Sequence, residues 1–296
     1  MKLLIYGAGV IGCLYAALFG EAGYDTYVYA RGKRLESLKK HGLLYSKNKR
    51  IRKANIKIVE KVEAEDIYDF VFLTVRENQV RTALAELSGN KSPNIVTMVN
   101  TAEPYEHWEK ICGKGRIIPA FPGAGGSFEG NVLKAALVPK IIQPTTFGEI
   151  NGNKTSEAAV LADIFRNAGI PYQIVKNMHD WQLCHLAMVV PIADAYYEAD
   201  DPENAGTEKA LMLRTAHRIK RNFRILRRIG IEICPSKMNL FRIVPTAVLG
   251  MGLGLVFQSD FGNVFMYRHS MNAPDEMRRL HRQFYGFIKN AINGIV

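Results

Sequence analysis

The residues of this 296-residue chain whose spacing points most directly to chemistry are three glycines in Gly7-Ala8-Gly9-Val10-Ile11-Gly12. They follow an apolar run, Lys2 to Tyr6, with the pattern of a short strand, and they precede a helical pattern over Val10 to Ala22. In that setting each glycine has its own task. The first permits a tight turn, the second lets a pyrophosphate approach the backbone, and the third lets helix and strand pack closely. Unbonded N–H groups at the helix start then face the phosphates. The expectation is a dinucleotide site in which Gly7, Ala8, Gly9, Val10, Ile11 and Gly12 form the phosphate turn.

At the end of the second strand, Asp25 to Tyr29, an NAD-selective site usually carries Asp or Glu to accept hydrogen bonds from the ribose hydroxyls. Here the stretch reads Val28-Tyr29-Ala30-Arg31-Gly32-Lys33-Arg34. A carboxylate repels a 2′-phosphate, whereas a guanidinium can hold one through two parallel charge-assisted hydrogen bonds. Arg31 and Arg34 therefore point to NADP(H). The alternative is a solvated basic turn.

These residues need a scaffold, and the first half of the chain supplies the pattern of one. After the first strand, helix and second strand come a short helix over Arg34 to His41 and β runs at Ile56 to Val59, Phe70 to Val75, Ile95 to Val99 and Arg116 to Ala120. Helix-compatible stretches such as Asn78 to Leu87 lie between several of them. Such alternation means a parallel sheet covered by helices. The stretch from Val138 to Glu149 reads as a pair of short strands closing this half. Beyond Asn151-Gly152-Asn153 the spacing turns helical, at Ser156 to Asn167, Asp180 to Tyr197, Glu208 to Ile229, Pro245 to Phe257 and Asp275 to Ile292. The expected fold is α/β, a Rossmann-type doubly wound parallel sheet over 1–152 followed by a mostly α-helical domain over 153–296.

An apolar fraction of 48% allows a sizeable core and argues against disorder. Glycines interrupt the N-terminal apolar stretch, which argues against a signal peptide, and the run from Val244 to Phe257 is too short and glycine-rich to span a bilayer. A soluble, cytoplasmic protein is expected. Cys13, Cys112, Cys184 and Cys234 lack the spacing of a disulfide framework or a structural zinc site. The formal charge of +11 favours anionic ligands without choosing among nucleic acid, lipid and phosphorylated small molecules.

With these residues in view, the chain resembles the ketopantoate reductase (2-dehydropantoate 2-reductase) family, which reduces a 2-keto acid with NADPH in the pantothenate route. The resemblance rests on GAGVIG, on YARGKRLESLKKHGL after the second strand, on YDFVFLTVRENQV, on IVTMVN ending at Asn100, and on TTFGEING. It covers most of residues 1–152. It implies that Arg31 holds the 2′-phosphate, that Arg76 stands where the family has a lysine near the cofactor, and that Asn100 lies beside nicotinamide and substrate. Near the C-terminus APDEMRRLHRQFYGF can be set against a family segment, which places Glu276 where the family glutamate meets substrate hydroxyls. Glu276 also suits the first turn of a helix on dipole grounds alone.

The helix expected to carry the catalytic lysine departs from the family. Anchored on Trp181, the lysine position falls on Leu183 and two asparagine positions on Ala187 and Pro191. Residues four apart share a helix face, so a polar stripe has become apolar. Carbonyl reduction builds charge on oxygen, and an acid or cation normally stabilises it. Candidate substitutes are His179, one turn before Leu183, and His185, reached by sliding the alignment two residues. Either can equally be an ordinary helix histidine.

Two more segments stand out. Phe121 to Asn131, FPGAGGSFEGN, reads as a glycine-rich loop on the ligand-binding rim. Arg214 to Arg228 reads as a packed helix with a solvated basic face, and no nucleic-acid motif accompanies it. The resulting expectation is an NADPH-dependent reductase acting on ketopantoate or a related 2-keto acid, with Asn100, Glu276 and His185 as catalytic candidates. Neither a membrane nor a nucleic-acid partner is expected, and the oligomeric state is left open, a homodimer included. The rival reading is a catalytically silent NADPH-binding sensor.

Overall fold

The computed structural model describes residues 1–150 and 156–294. The chain forms two compact units, one of residues 1–99 and 104–178, the other of residues 100–103 and 179 onward. The expected boundary between residues 152 and 153 lies outside the described residues. The compact units divide at Met178, and the short segment Asn100–Glu103 groups with the second unit.

The first unit carries strands Lys2–Tyr6 (β1), Asp25–Tyr29 (β2), Leu44–Lys47 (β3), Arg50–Lys53 (β4), Lys57–Val59 (β5) and Phe70–Leu73 (β6). They are followed by Ile95–Met98 (β7), Ile117–Phe121 (β8), Ala124–Glu129 (β9), Val132–Leu137 (β10), Thr145–Phe147 (β11) and Tyr172–Ile174 (β12). Its helices are Val10–Glu21 (α1), Gly32–His41 (α2), Val80–Leu87 (α3), Glu106–Cys112 (α4) and Ser156–Asn167 (α5). The main sheet runs in the order β12-β11-β8-β7-β6-β1-β2-β5, parallel throughout except for the antiparallel pair β8 and β11. This is the expected doubly wound sheet. From β1 the chain runs one way to β2 and later returns to the other side with β6, with Tyr6 in register with both Tyr29 and Leu73. That reversal of strand order opens a crevice at the carboxyl ends of β1 and β6, where ligands bind in such folds.

Helix α1 packs on the sheet through an aromatic core. Tyr15, Phe19, Phe72, Phe147 and Phe165 are fully buried, with Phe19 and Phe72 rings 4.8 Å apart. Rings at such tilted separations add to the area they bury.

Two expectations from the sequence differ from the structure. The segment Phe121 to Asn131 is not a loop. It forms β9 and the turn into β10, an antiparallel hairpin in which Ala124 to Glu129 pairs residue by residue with Leu137 to Val132. Its glycines serve that pairing, because a Cβ on Gly126 would stand 2.2 Å from the Lys134 carbonyl oxygen. Of the two strands expected between Val138 and Glu149 only β11 forms. A second hairpin, β3 and β4, went unread; its two-residue turn, Asn48-Lys49, has positive φ at both positions, the geometry hairpins favour. The two hairpins join as a smaller sheet, β4-β3-β10-β9.

The second unit is helical, as expected. It comprises Met178–Glu198 (α6), Lys209–Arg228 (α7), Leu240–Ile243 (α8), Thr246–Phe257 (α9), Asp260–Gly262 (α10), Arg268–Asn272 (α11) and Pro274–Asn293 (α12). Its core joins Leu183 and Ala187 of α6, Ile219 and Phe223 of α7, and Leu280 and Phe284 of α12, all fully buried. The basic helix α7 packs its apolar stripe inward, as its periodicity predicts. One of its cations, Lys220, is buried and bonds the Val244 carbonyl. Among the described residues no single helix is long and apolar enough to cross a membrane.

Candidate functional site

The glycine turn has the conformation its residue types require. Gly7 adopts φ +123°, a region that side chains disfavour. A Cβ on Gly12 would stand 2.0 Å from the Gly7 carbonyl oxygen and 2.5 Å from Thr74 Oγ1. The third glycine therefore sets how closely α1 meets β1. Gly9 differs, because nothing among the described residues lies within 4 Å of the Cβ it lacks. Its absent side chain leaves a cradle open beside the start of α1. The first turn of α1 has no acidic residue and no side-chain cap, so its leading N–H groups remain available to an anion.

Thr74, just beyond β6, holds the turn from behind. Its hydroxyl donates to the Gly7 carbonyl at 2.8 Å, and its N–H donates to the Tyr6 carbonyl at 3.0 Å. Together these residues wall a cavity of about 340 Å³ lined by Gly7, Ala8, Gly9, Arg31, Arg34 and Arg76, with Tyr6, Tyr29, Thr74 and Gln79 among the others. The structure thus gathers Gly7, Ala8, Gly9, Arg31, Arg34 and Arg76, expected from the sequence to meet a cofactor, around one space. Val10, Ile11 and Gly12 form the first turn of α1 behind it. Tyr6, Thr74 and Gln79 were missed in sequence; the only available signal was their position at or just past strand ends.

The two arginines after β2 are engaged differently. Arg34 donates through Nε to the Ala8 carbonyl at 3.0 Å, and its guanidinium sits 3.7 Å from the centroid of the Phe128 ring. It ties the glycine turn to the β9 hairpin while also lining the cavity. Arg31 is more exposed and pairs through Nη1 with Glu86 Oε1 at 2.9 Å. The other Glu86 oxygen accepts the Tyr6 hydroxyl. Burial, followed by that hydrogen bond, pushes the Tyr6 hydroxyl pKa well up, so Tyr6 stays protonated as the donor.

The catalytic candidates belong to the second unit. Asn100 is buried, and its Oδ1 has no hydrogen-bond partner among the described residues. A buried acceptor left so is costly and suits a site that a ligand completes. The segment after it is clamped within its own unit. The Ala102 N–H donates to Gln283 Oε1 at 3.3 Å, and the same side chain donates to Glu103. His179 lies 3.3 Å from the Ala102 carbonyl. Glu276 is nearly buried in the first turn of α12.

His185 does not have the surroundings of a proton donor. Its ring stacks on Trp181 with centroids 5.3 Å apart and planes at 8°. Burial, with His269 as a lesser cause, lowers its pKa to about 3. The imidazole is therefore neutral at ordinary pH, and the physical reason is the loss of hydration that a charged ring would need. Leu183 and Ala187, which the resemblance sets at the family's lysine and asparagine positions, are fully buried core residues.

Comparison with known proteins adds the following. Residues 3–150 match a family model described as ketopantoate reductase PanE/ApbA. The chain is 31% identical over 177 residues to a 2-dehydropantoate 2-reductase of Archaeoglobus fulgidus, spanning 60% of this chain and 57% of that one. It is 32% identical over 192 residues to one of Mesorhizobium japonicum, spanning 57% and 58% respectively. The chain thus matches less than two thirds of the length of these curated relatives. Among solved structures, a 2-dehydropantoate 2-reductase from Geobacter metallireducens aligns with TM-score 0.69 at 15% identity, covering 99% of this chain and 100% of that one. D-mandelate dehydrogenase in a ternary structure with NADH and anilino(oxo)acetate aligns with TM-score 0.64 at 15% identity, covering 98% and 99%. At such identities the structures speak to the fold alone.

Proposed function

Because the chain belongs to the ketopantoate reductase PanE/ApbA family, we propose that it is an NADPH-dependent reductase acting on the carbonyl of ketopantoate or a related 2-keto acid. The observation that carries this reading is the cavity at the strand-order reversal, where the open cradle at Gly9 and the guanidinium of Arg31 line the same space. Those residues fit a dinucleotide with a 2′-phosphate.

When bound, the cofactor would supply hydride to the substrate carbonyl. The chain's own part would be to hold and orient. N–H groups of the glycine turn and the start of α1 would bind the pyrophosphate, and Arg31 the 2′-phosphate. Arg76 adds a cation to the cavity wall. Asn100 Oδ1, which has no partner among the described residues, would accept a hydrogen bond from nicotinamide or substrate, and Glu276 would accept one from a substrate hydroxyl. No proton donor is assigned, since Leu183 cannot serve and His185 is held neutral. A cytoplasmic location and a small-molecule substrate belong to this reading.

The full burial of Leu183 and Ala187 supports a second reading, an NADPH-binding sensor without turnover. One experiment separates the two. NADPH absorbance is followed with a panel of 2-keto acids that includes ketopantoate, and NADPH binding is titrated in parallel. Oxidation with one or more panel members is expected. Tight binding with no oxidation across the panel would favour the sensor, and no binding at all would overturn both.

A further inference from the structure

The end of β2 lacks the acid that usually meets the adenosine ribose, yet a carboxylate still stands beside Arg31. It comes from α3. Glu86 is anchored at both oxygens, by Arg31 Nη1 at 2.9 Å and by the Tyr6 hydroxyl. The anchors are themselves ordered. The Tyr6 and Tyr29 rings lie 4.5 Å apart, and the Arg31 guanidinium sits 5.8 Å from the Tyr29 centroid. Tyr6, Tyr29 and Arg31 all line the cavity, so the carboxylate is held by two residues of its wall, Tyr6 and Arg31.

We propose that Glu86 is a specificity-determining residue that moderates the preference for NADPH over NADH. The assignment rests on the cofactor reading above. A 2′-phosphate that pairs with Arg31 must either displace Glu86 or settle beside its negative charge, and both cost affinity. A ribose with a free 2′-hydroxyl meets no such repulsion. Its hydroxyl can donate a hydrogen bond to that carboxylate, as it does to the acid at the end of β2 in NAD-selective sites. Arg31 draws the phosphate while Glu86 opposes it, and their balance sets the ratio of the two affinities.

The test measures dissociation constants for NADPH and NADH on the full chain, wild type and two variants, with thermal melting as a check on folding. Glu86→Gln keeps shape and removes charge. It should tighten NADPH about tenfold, on the order of one charge interaction, without tightening NADH. Tyr6→Phe removes one of the two anchors, so the carboxylate can swing aside; NADPH should tighten by a smaller factor. If Glu86→Gln leaves NADPH binding unchanged or weaker, Glu86 merely positions Arg31 and the assignment is overturned while the cofactor reading stands. Equal changes for both dinucleotides overturn it as well. Wild-type protein that binds neither overturns the cofactor reading and this assignment together.

Discussion

Asn222 on α7 donates its side-chain amide to the Ala187 carbonyl on α6 at 3.2 Å, and Ala187 lies four residues before Pro191 within the same helix. Proline has no N–H, so it leaves that carbonyl without its helical partner. Asn222 and Ala187 are both fully buried, so water cannot replace the bond. Asn222→Leu should therefore cost about 1–3 kcal/mol. In a Pro191→Ala background the restored backbone N–H reaches the same carbonyl, and the cost should shrink. Denaturant unfolding of the four proteins forms a double-mutant cycle; simple additivity would refute the relationship.

Gly9 and Gly12 should separate binding from stability. Gly12→Ala forces a methyl against the Gly7 carbonyl and Thr74. It should lower stability by about 1–3 kcal/mol, as overpacking does, and weaken the dinucleotide by disturbing the turn. Gly9 has an extended backbone that alanine can adopt, with open space at its Cβ position. Gly9→Ala should melt like wild type but bind dinucleotide about tenfold or more weakly, roughly 1.4 kcal/mol. Unchanged binding in that variant would remove the pyrophosphate from the cradle.

Arg31→Glu reverses the charge at the cavity wall and leaves two carboxylates side by side. NADPH affinity should fall about ten- to a hundredfold, the worth of one charge-assisted contact. NADH should lose far less. Titration of both dinucleotides decides the matter, and equal losses would end the 2′-phosphate assignment.

His185 makes stability depend on pH in a defined direction. Its folded pKa is lowered to about 3 from a reference of 6.5. Between those values the unfolded chain binds the extra proton and the folded chain resists it, so stability falls as pH falls. The contribution is complete above pH 6.5 and declines by about 1.4 kcal/mol per pH unit at most within the window. His185→Gln should flatten that part of the acid profile relative to wild type. Parallel profiles in chemical denaturation would show that burial of the ring is not what limits acid stability.

Much of the first unit is legible in its amino-acid sequence. The spacing of Gly7, Gly9 and Gly12 after an apolar run states a local backbone requirement, and the observed φ at Gly7 and crowding at Gly12 meet it. The apolar stripe of α7 and the proline start of α12 were legible for the same reason, since helical periodicity and capping are local. The β3 and β4 hairpin was hidden because charged residues obscure its alternation, and the glycines of β9 imitate a loop until β10 lies against them.

Sequence by itself therefore determined the glycine turn between β1 and α1, the arginine after β2 and the apolar character of the helix at Leu183. Each is a property of residues near one another along the chain. Tertiary structure decided what surrounds them. Thr74 braces the turn, Phe128 holds Arg34, and Glu86 with Tyr6 engages Arg31. These partners lie 55 to 94 residues apart along the chain in all four contacts, Arg31 with Glu86, Thr74 with Gly7, Tyr6 with Glu86 and Arg34 with Phe128. A parallel sheet brings them together because its crossovers set distant strand ends side by side, a pairing that no local pattern encodes.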